Sequence, residues 1–140
     1  MRLILLFVSL VLLSGCANSW YLGEWKVTDV EFPAVSALGA EEAQEWFGEE
    51  AIYAESLFSF RENTCEAPQY APQELSEADF RIAYRAPFSQ LNIDGEATEI
   101  LRVSCAELSS FPGVTLIKGM EDIVYLPWDG AFFKLERSAR

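Results

Sequence analysis

Short segments with a two-residue period of hydrophobicity are the feature of this sequence that most restricts its fold. In residues 79–85 (DFRIAYR) and 98–105 (TEILRVSC), an apolar residue recurs at every second position. Side chains two residues apart lie on the same face of a β-strand, so both segments are predicted to be half-buried strands. Further segments that favour strands lie at residues 21–32, 51–62, 113–120, 122–128 and 131–137.

One segment has a helical period instead. Between residues 40 and 47 the apolar side chains follow helical spacing, and Gly48 is typical of a helix end, which predicts one short amphipathic helix. Residues 65–77 and 85–96 are predicted as loops, the second with a helical turn near residues 89–91. Asp129-Gly130, between the last two apolar segments, predicts a hairpin turn.

These elements together predict a mainly β fold. About seven short strands with one short helix and several turns favour a small antiparallel barrel or a strongly bent sheet. An α+β fold, with the helix packed on one face of the sheet, is the alternative.

The N-terminus has the composition of a secretory signal peptide. Met1 and Arg2 precede an uncharged apolar segment of 11 residues, Leu3 to Leu13. As a helix this segment would be about 16 Å long, whereas the hydrocarbon core of a bilayer is about 30 Å thick. Residues 1–15 are therefore predicted to be a signal peptide rather than a transmembrane anchor.

The residues that end this segment, Leu13-Ser14-Gly15-Cys16, resemble the lipobox of bacterial lipoproteins. The resemblance implies that Cys16 becomes the first mature residue and carries a diacylglycerol and an N-acyl chain such as palmitate, which together anchor a protein stably. Ala17 stands where an aspartate would favour the inner membrane, which implies an outer-membrane lipoprotein facing the periplasm. Residues 16–21 are then the lipidated N-terminus and a short tether, and residues 22–140 a single globular domain.

The odd number of cysteines fits this interpretation. If Cys16 carries lipid, Cys65 and Cys105 remain as a pair in an oxidising compartment, where a disulfide is the expected state. The bridge would close a loop of about 40 residues, which stabilises a fold by on the order of 4 kcal/mol. Two free buried thiols are the alternative.

The charge of the chain restricts its partners. Ten Lys and Arg against 22 Asp and Glu give a net charge of −12. Such a surface disfavours nucleic acid and anionic lipid headgroups, and it would attract a basic protein.

The sequence also lacks the residues of most catalytic sites. It contains no histidine, which excludes Ser-His-Asp and Cys-His catalysis and imidazole metal ligands. The acidic segment at residues 92–99 lacks the ligand spacing of an EF-hand loop. We therefore expect no catalytic activity, no metal and no cofactor, and we retain a hydrolase that uses a carboxylate pair only as a lesser alternative.

A second resemblance concerns the two ends of the predicted domain. Gly23-Glu24-Trp25 resembles the Gly-x-Trp motif of lipocalins, in which the tryptophan closes one end of the barrel and a basic residue late in the last strand packs over it. Arg137 is the matching basic residue in this chain. The size, lipobox, acidic character and expected disulfide also resemble the small barrel lipoproteins that inhibit lysozyme in the periplasm, whose targets are basic enzymes.

The function predicted from these features is that of a lipid-anchored periplasmic binding module without catalytic activity. Its partner is expected to be a basic periplasmic protein, bound in an inhibitory or envelope-assembly role. A lipocalin-like carrier of a small apolar ligand is the alternative. The candidate residues for contact with a ligand or partner are Trp25, Trp128 and Arg137.

Overall fold

A computed structural model describes residues 18–138 of the chain. Within these residues, nine antiparallel strands form one strongly curled, half-barrel sheet, accompanied by two short α-helices and a single 3₁₀ turn. The predicted mainly β fold is therefore confirmed. The elements are β1 Gly23–Glu31, α1 Ala40–Gln44, β2 Glu50–Tyr53, β3 Leu57–Phe60, β4 Asn63–Glu66, β5 Gln69–Ser76, α2 Glu77–Tyr84, the 3₁₀ turn Phe88–Leu91, β6 Ala97–Ser104, β7 Thr115–Lys118, β8 Ile123–Trp128 and β9 Ala131–Arg137.

The order of strands across the sheet is β4-β3-β2-β1-β9-β8-β7-β6-β5, so the first and last strands of the chain pair with each other. The two edge strands, β4 and β5, are consecutive in the chain and separated only by residues 67–68. A disulfide between Cys65 in β4 and Cys105 after β6, as predicted, links the same two margins of the sheet. The Tyr70 hydroxyl of β5 also donates to the Ala54 carbonyl after β2, at 2.8 Å. Both edges of the curled sheet are thus tied to each other.

The sheet buries side chains on both faces. The inner face, enclosed by the curl, carries the larger core, to which the α1 segment adds Ala43 and Trp46. The outer face of β6 to β9 is covered by α2 and the 3₁₀ turn, which pack Phe80, Phe88 and Leu91 against it. Successive residues of one strand belong to different cores. In β9, Phe133 and Leu135 lie in the inner core and Phe132 lies in the outer core.

Two sequence predictions of local structure are wrong. Residues 79–85, predicted as a strand, lie almost wholly in α2, which begins after Ser76, whose Oγ accepts a hydrogen bond from the Asp79 N–H at 3.2 Å. Residues 65–77, predicted as a loop, contain the end of β4 and the edge strand β5. An edge strand tolerates Pro72 because one side of its ladder is unpaired.

The β8–β9 connection forms as predicted. Asp129 and Gly130 both have positive φ, 49° and 85°, as a two-residue hairpin of type I′ requires. Trp128 pairs with Ala131 across this turn. Pro127 is the penultimate residue of β8 and lies beyond the part of that strand that pairs with β7.

Candidate functional site

The three residues predicted to contact a ligand or partner lie in two places. Trp25 and Arg137 are register partners on β1 and β9, close to where the chain enters the domain. Trp128 is the last residue of β8 and pairs with Ala131 at the opposite end of β9, beside the β8–β9 turn. The structure therefore brings Trp25 and Arg137 together and separates both from Trp128.

Trp25 and Arg137 form a structural clasp at their end of the sheet. The guanidinium carbon of Arg137 is 4.2 Å from the ring centroid of Trp25, whose side chain is only 1% exposed. Nη1 and Nη2 of Arg137 donate to the backbone carbonyls of Leu22 and Trp20 at 2.8 and 2.9 Å. Nε donates to Asp122 at 2.9 Å. The clasp occupies Trp25 fully and fixes the segment that precedes β1.

Gly23 leaves room for the clasp. Its φ is 140°, and a Cβ at this position would collide with Nη1 of Arg137. Glycine is the residue that accepts both the positive φ and the close approach. The Gly-x-Trp pattern thus has a packing explanation in this chain, since the glycine admits the arginine and the tryptophan supports it.

The inner face of the sheet is filled by aromatic side chains. Trp46 stacks on Phe133 with ring centroids 4.3 Å apart and an interplanar angle of 6°. The Tyr53 hydroxyl donates to the Gly113 carbonyl at 2.9 Å, and burial raises the pKa of Tyr53, so this side chain is neutral at ordinary pH. A Cβ at Gly113 would lie 2.7 Å from the Phe58 ring, which shows how closely these groups pack. Side chains that would line the cavity of a carrier contact one another instead.

The charged side chains leave a large surplus of carboxylates. Of the eight Lys and Arg side chains that the structure describes, six lie within 4 Å of a carboxylate. These pairs involve only seven of the 22 acids. Most acidic side chains therefore lack a cation within 4 Å among residues 18–138, and the negative charge predicted from composition is available at the surface.

Exposed apolar residues lie at the end of the sheet that is remote from the clasp. We call this end the tip and define it as residues 32–38 and 127–130. The Ser36 hydroxyl and the Ala37 N–H both donate to the Asp129 carbonyl at 2.9 Å, which joins the two segments. Phe32 is 38% exposed and Val35 is 97% exposed. Trp128, in the other segment of the tip, is partly buried. The tip thus combines exposed apolar groups with an exposed acid, Asp129.

Trp128 is a contact candidate on sequence grounds, whereas Phe32 and Val35 stand out only in the structure, which leaves both exposed. Pro33 directly follows the predicted strand over residues 21–32, whose last residue is Phe32. The available signal is Val35, an apolar residue two positions after a proline and outside every predicted strand or helix, which leaves it no regular face on which to be buried.

Cys16, the predicted lipidation site, precedes the residues that the structure describes.

Neither α-helix within residues 18–138 is long and apolar enough to cross a membrane. In the same range, no three His, Cys, Asp or Glu side chains come together in a group that could hold a metal ion. Comparison of the chain with protein-family models, with curated proteins and with solved structures finds no match.

Proposed function

We propose that this protein is a non-catalytic binding module of the bacterial cell envelope, held in the outer membrane by lipid on Cys16, and that it binds a basic periplasmic protein. The observation that carries the proposal is the surplus of carboxylates without a nearby cation. Complementary charge steers encounter between proteins and selects the partner.

The fold indicates how the lipid would orient the domain relative to the membrane. Asn18, two residues after Cys16, lines a cleft with Arg137 at the clasp. A lipid on Cys16 would therefore hold the clasp end near the membrane. The seven residues of β9 separate the clasp from the tip, which corresponds to about 23 Å at about 3.3 Å per residue. The tip would then face the periplasm.

The composition of the tip suits protein contact. Aromatic and other apolar side chains form the core of a typical protein interface, and polar groups surround them. Phe32, Val35 and Trp128 supply apolar surface at the tip, and two exposed acids, Asp129 within it and Glu31 next to Phe32, supply negative charge. The role is that of an inhibitor or an envelope-assembly factor. The filled inner face gives no comparable support to a carrier of a small apolar ligand.

Acylation is tested on the full chain in its bacterial host. Mass spectrometry of the wild-type protein should show the acylated Cys16 at the N-terminus, and the protein should be recovered with the outer membrane. Cys16→Ser should abolish both results. Unchanged mass and membrane recovery in Cys16→Ser would contradict the lipid anchor.

Partner binding is tested by capture from envelope extract on the immobilised full chain. A basic protein should be retained at low salt and released as ionic strength rises towards about 0.5 M, because surface charges are then screened. The double variant Phe32→Ser, Val35→Ser should retain less of it, whereas Ile82→Ser removes an apolar side chain on α2 that is 80% exposed and should not change capture. Retention of no basic protein, or equal loss in both variants, would count against binding at the tip.

A further inference from the structure

The edge strand β5 is open along most of its length. Within residues 18–138 it pairs with β6 alone, through eight consecutive register pairs without a bulge. Its four central residues, 71–74, are all exposed. The two ties between the sheet margins leave its backbone edge unpaired, because one is the Cys65–Cys105 disulfide and the other uses the Tyr70 hydroxyl. Proteins usually shorten, bend or cover such an edge, because it can pair with another chain.

Hydrogen bonding in the neighbouring strand shows which backbone groups of β5 are free. The Val103 N–H of β6 donates at 2.8 Å to the carbonyl of Val114, just before β7. Successive residues of an antiparallel strand direct their backbone groups to opposite sides, so Arg102 faces β5, where its register partner is Ala71. The odd-numbered residues of β5 therefore bond to β6. Those that direct their backbone groups away from β6 are Tyr70, Pro72, Glu74 and Ser76.

The free edge presents both donors and acceptors. Its carbonyls are those of Tyr70, Pro72 and Glu74, because the Ser76 carbonyl lies at the N-cap of α2 and accepts from the helix. Its N–H groups are those of Tyr70, Glu74 and Ser76, and they make no hydrogen bond to a described residue outside the β5–β6 pair. A row of this kind binds an extended segment by strand addition.

The side chains at this edge favour a cation on the added strand. Glu74 and Glu99 are register partners on β5 and β6, so two carboxylates lie opposite each other on the same face, an arrangement that is destabilising. Lys118 pairs with Glu99 at 3.0 Å, whereas Glu74 has no cation within 4 Å among the described residues. A lysine or arginine opposite Glu74 would place a cation on each side of the two carboxylates.

The same edge disfavours a second copy of this chain as the occupant. Pro72 lies within the free edge and lacks the N–H that pairing of two β5 strands would use in both copies. Each copy would also bring Glu74 and a net charge of −12 to the contact. A basic segment of another protein loses a hydrogen bond only at Pro72 and is attracted by the charge instead of repelled.

We propose that β5 accepts a basic, extended segment of another protein as an additional strand of the sheet. The segment pairs with the outward backbone groups of Tyr70, Glu74 and Ser76, and one of its lysines or arginines lies opposite Glu74. This surface shares no residue with the tip, and binding here does not depend on the lipid anchor. Failure of capture at the tip and failure of strand addition are therefore separate outcomes.

The test is amide hydrogen exchange of the full chain, followed by NMR, with a synthetic peptide as long as β5 that alternates valine and lysine. The amides of Glu74 and Ser76 should exchange at least about tenfold more slowly with the peptide bound, because they then donate to it. The amides of Gln73 and Leu75, already bonded to β6, should not change. A peptide that alternates valine and glutamate should protect none of them.

Three variants separate hydrogen bonding from charge. Glu74→Gln removes the charge, keeps the N–H, and should weaken binding of the basic peptide by about fivefold. Glu74→Pro also removes the outward N–H and should weaken binding by about a further tenfold, while Gln73 keeps its slow exchange because β6 does not use that N–H. Glu45→Gln removes an exposed acid at the end of α1 that likewise has no described cation within 4 Å, and it should leave binding unchanged.

Several results would overturn the proposal. They are no protection of Glu74 and Ser76 at about 1 mM peptide, equal binding of the acidic peptide, and equal weakening in Glu45→Gln and Glu74→Gln. Fast exchange of Gln73 in Glu74→Pro would contradict the outward direction of the Glu74 N–H. A dimer of the free chain that protects Glu74 and Ser76 without peptide would assign the edge to a second copy.

Discussion

Arg137 shows how one side chain can organise an entire end of this fold. Its guanidinium lies on the Trp25 ring and donates to two backbone carbonyls and one carboxylate. A lysine could not satisfy this arrangement, because its single ammonium lacks the planar fork of a guanidinium. The contacts join the last strand to the segment before the first strand, so the clasp stabilises both ends of the domain together.

Replacement of Arg137 by methionine should therefore destabilise the domain. The variant keeps most of the apolar stem and loses three charged hydrogen bonds, two to backbone carbonyls and one to Asp122, together with the cation–π contact. We expect the free energy of unfolding, measured by urea denaturation, to fall by about 2–4 kcal/mol. Lys134→Met is the matched control, since Lys134 makes only a 3.9 Å ion pair with Glu136 among the described contacts, and it should change stability by less than about 1 kcal/mol. Equal losses in the two variants would show that the clasp has no special role.

The glycines allow a second comparison at this scale. Gly113 and Gly48 have similar positive φ values, 97° and 88°, but only Gly113 is packed against side chains. Gly48→Ala should lower stability by about 1–2 kcal/mol, the backbone contribution of the left-handed region alone. Gly113→Ala adds a Cβ 2.7 Å from the Phe58 ring, which should raise the loss by a further 1–3 kcal/mol or so.

Thermal unfolding of both glycine variants by circular dichroism provides the measurement. The larger drop in melting temperature is expected for Gly113→Ala. If the two variants lose the same stability, the inner face near Phe58 and Tyr53 must have more space than the structure shows.

At the scale of elements, the strands that the sequence predicts well are those with local signals. The β8–β9 hairpin has a two-residue turn with the residues that its backbone requires, and β6 has a regular two-residue period. The helix at α2 was missed because Phe80 and Tyr84 satisfy two periods at once. They are two positions of a strand face, and they are also one helical turn apart. The Ser76 cap with Asp79 three residues later was the signal that could have decided between them.

The edge strand β5 was missed for a different reason. Most of its residues are exposed, so its sequence shows no alternation of buried and exposed positions. Its pairing with β6 is decided by a partner more than twenty residues away in the chain. The outer core could not be predicted for the same reason, since it requires α2 to pack over β6 to β9. The pairing of Arg137 with Trp25, by contrast, lies at positions that the sequence motif marks.

The two interpretations of residues 79–85 make opposite predictions for Ile82. In a half-buried strand Phe80 and Ile82 would share the buried face, whereas in α2 Phe80 is fully buried and Ile82 is 80% exposed. Phe80→Ala should lower the free energy of unfolding by about 3–5 kcal/mol, and Ile82→Ala should change it by less than about 0.5 kcal/mol. Urea denaturation of both variants checks this, and a loss above about 2 kcal/mol for Ile82→Ala would favour the strand.

On the scale of the whole molecule, the sheet has an apolar core on each face, and the surface around these cores is acidic. The curl of the sheet encloses one core, and α2 with the 3₁₀ turn covers the other. All five tyrosines lie in or against these cores, and burial raises the pKa values of four of them, Tyr53, Tyr70, Tyr84 and Tyr125. The stability of the molecule should therefore respond strongly to alkaline pH.

The sign of this response follows from the tyrosines. Burial, helped by the nearby Tyr21, raises the pKa of Tyr70 to about 12, and burial also raises the pKa of Tyr53. In the unfolded chain both side chains ionise near pH 10. The stability that comes from keeping them neutral is complete below about pH 10 and is lost as the pH rises from about 10 towards 12.

Tyr70→Phe isolates one part of this loss. The variant should be less stable than wild type near neutral pH, because it lacks the hydrogen bond to the Ala54 carbonyl. Between about pH 9 and pH 11 its free energy of unfolding should decline less steeply than that of wild type, since one ionising group is absent from the unfolded chain. Lysines lose charge in the same pH range in both proteins, so the difference between the two slopes reports Tyr70 alone. Urea denaturation across this range provides the measurement, and parallel slopes would mean that the Tyr70 hydroxyl ionises as readily in the folded protein as in the unfolded chain.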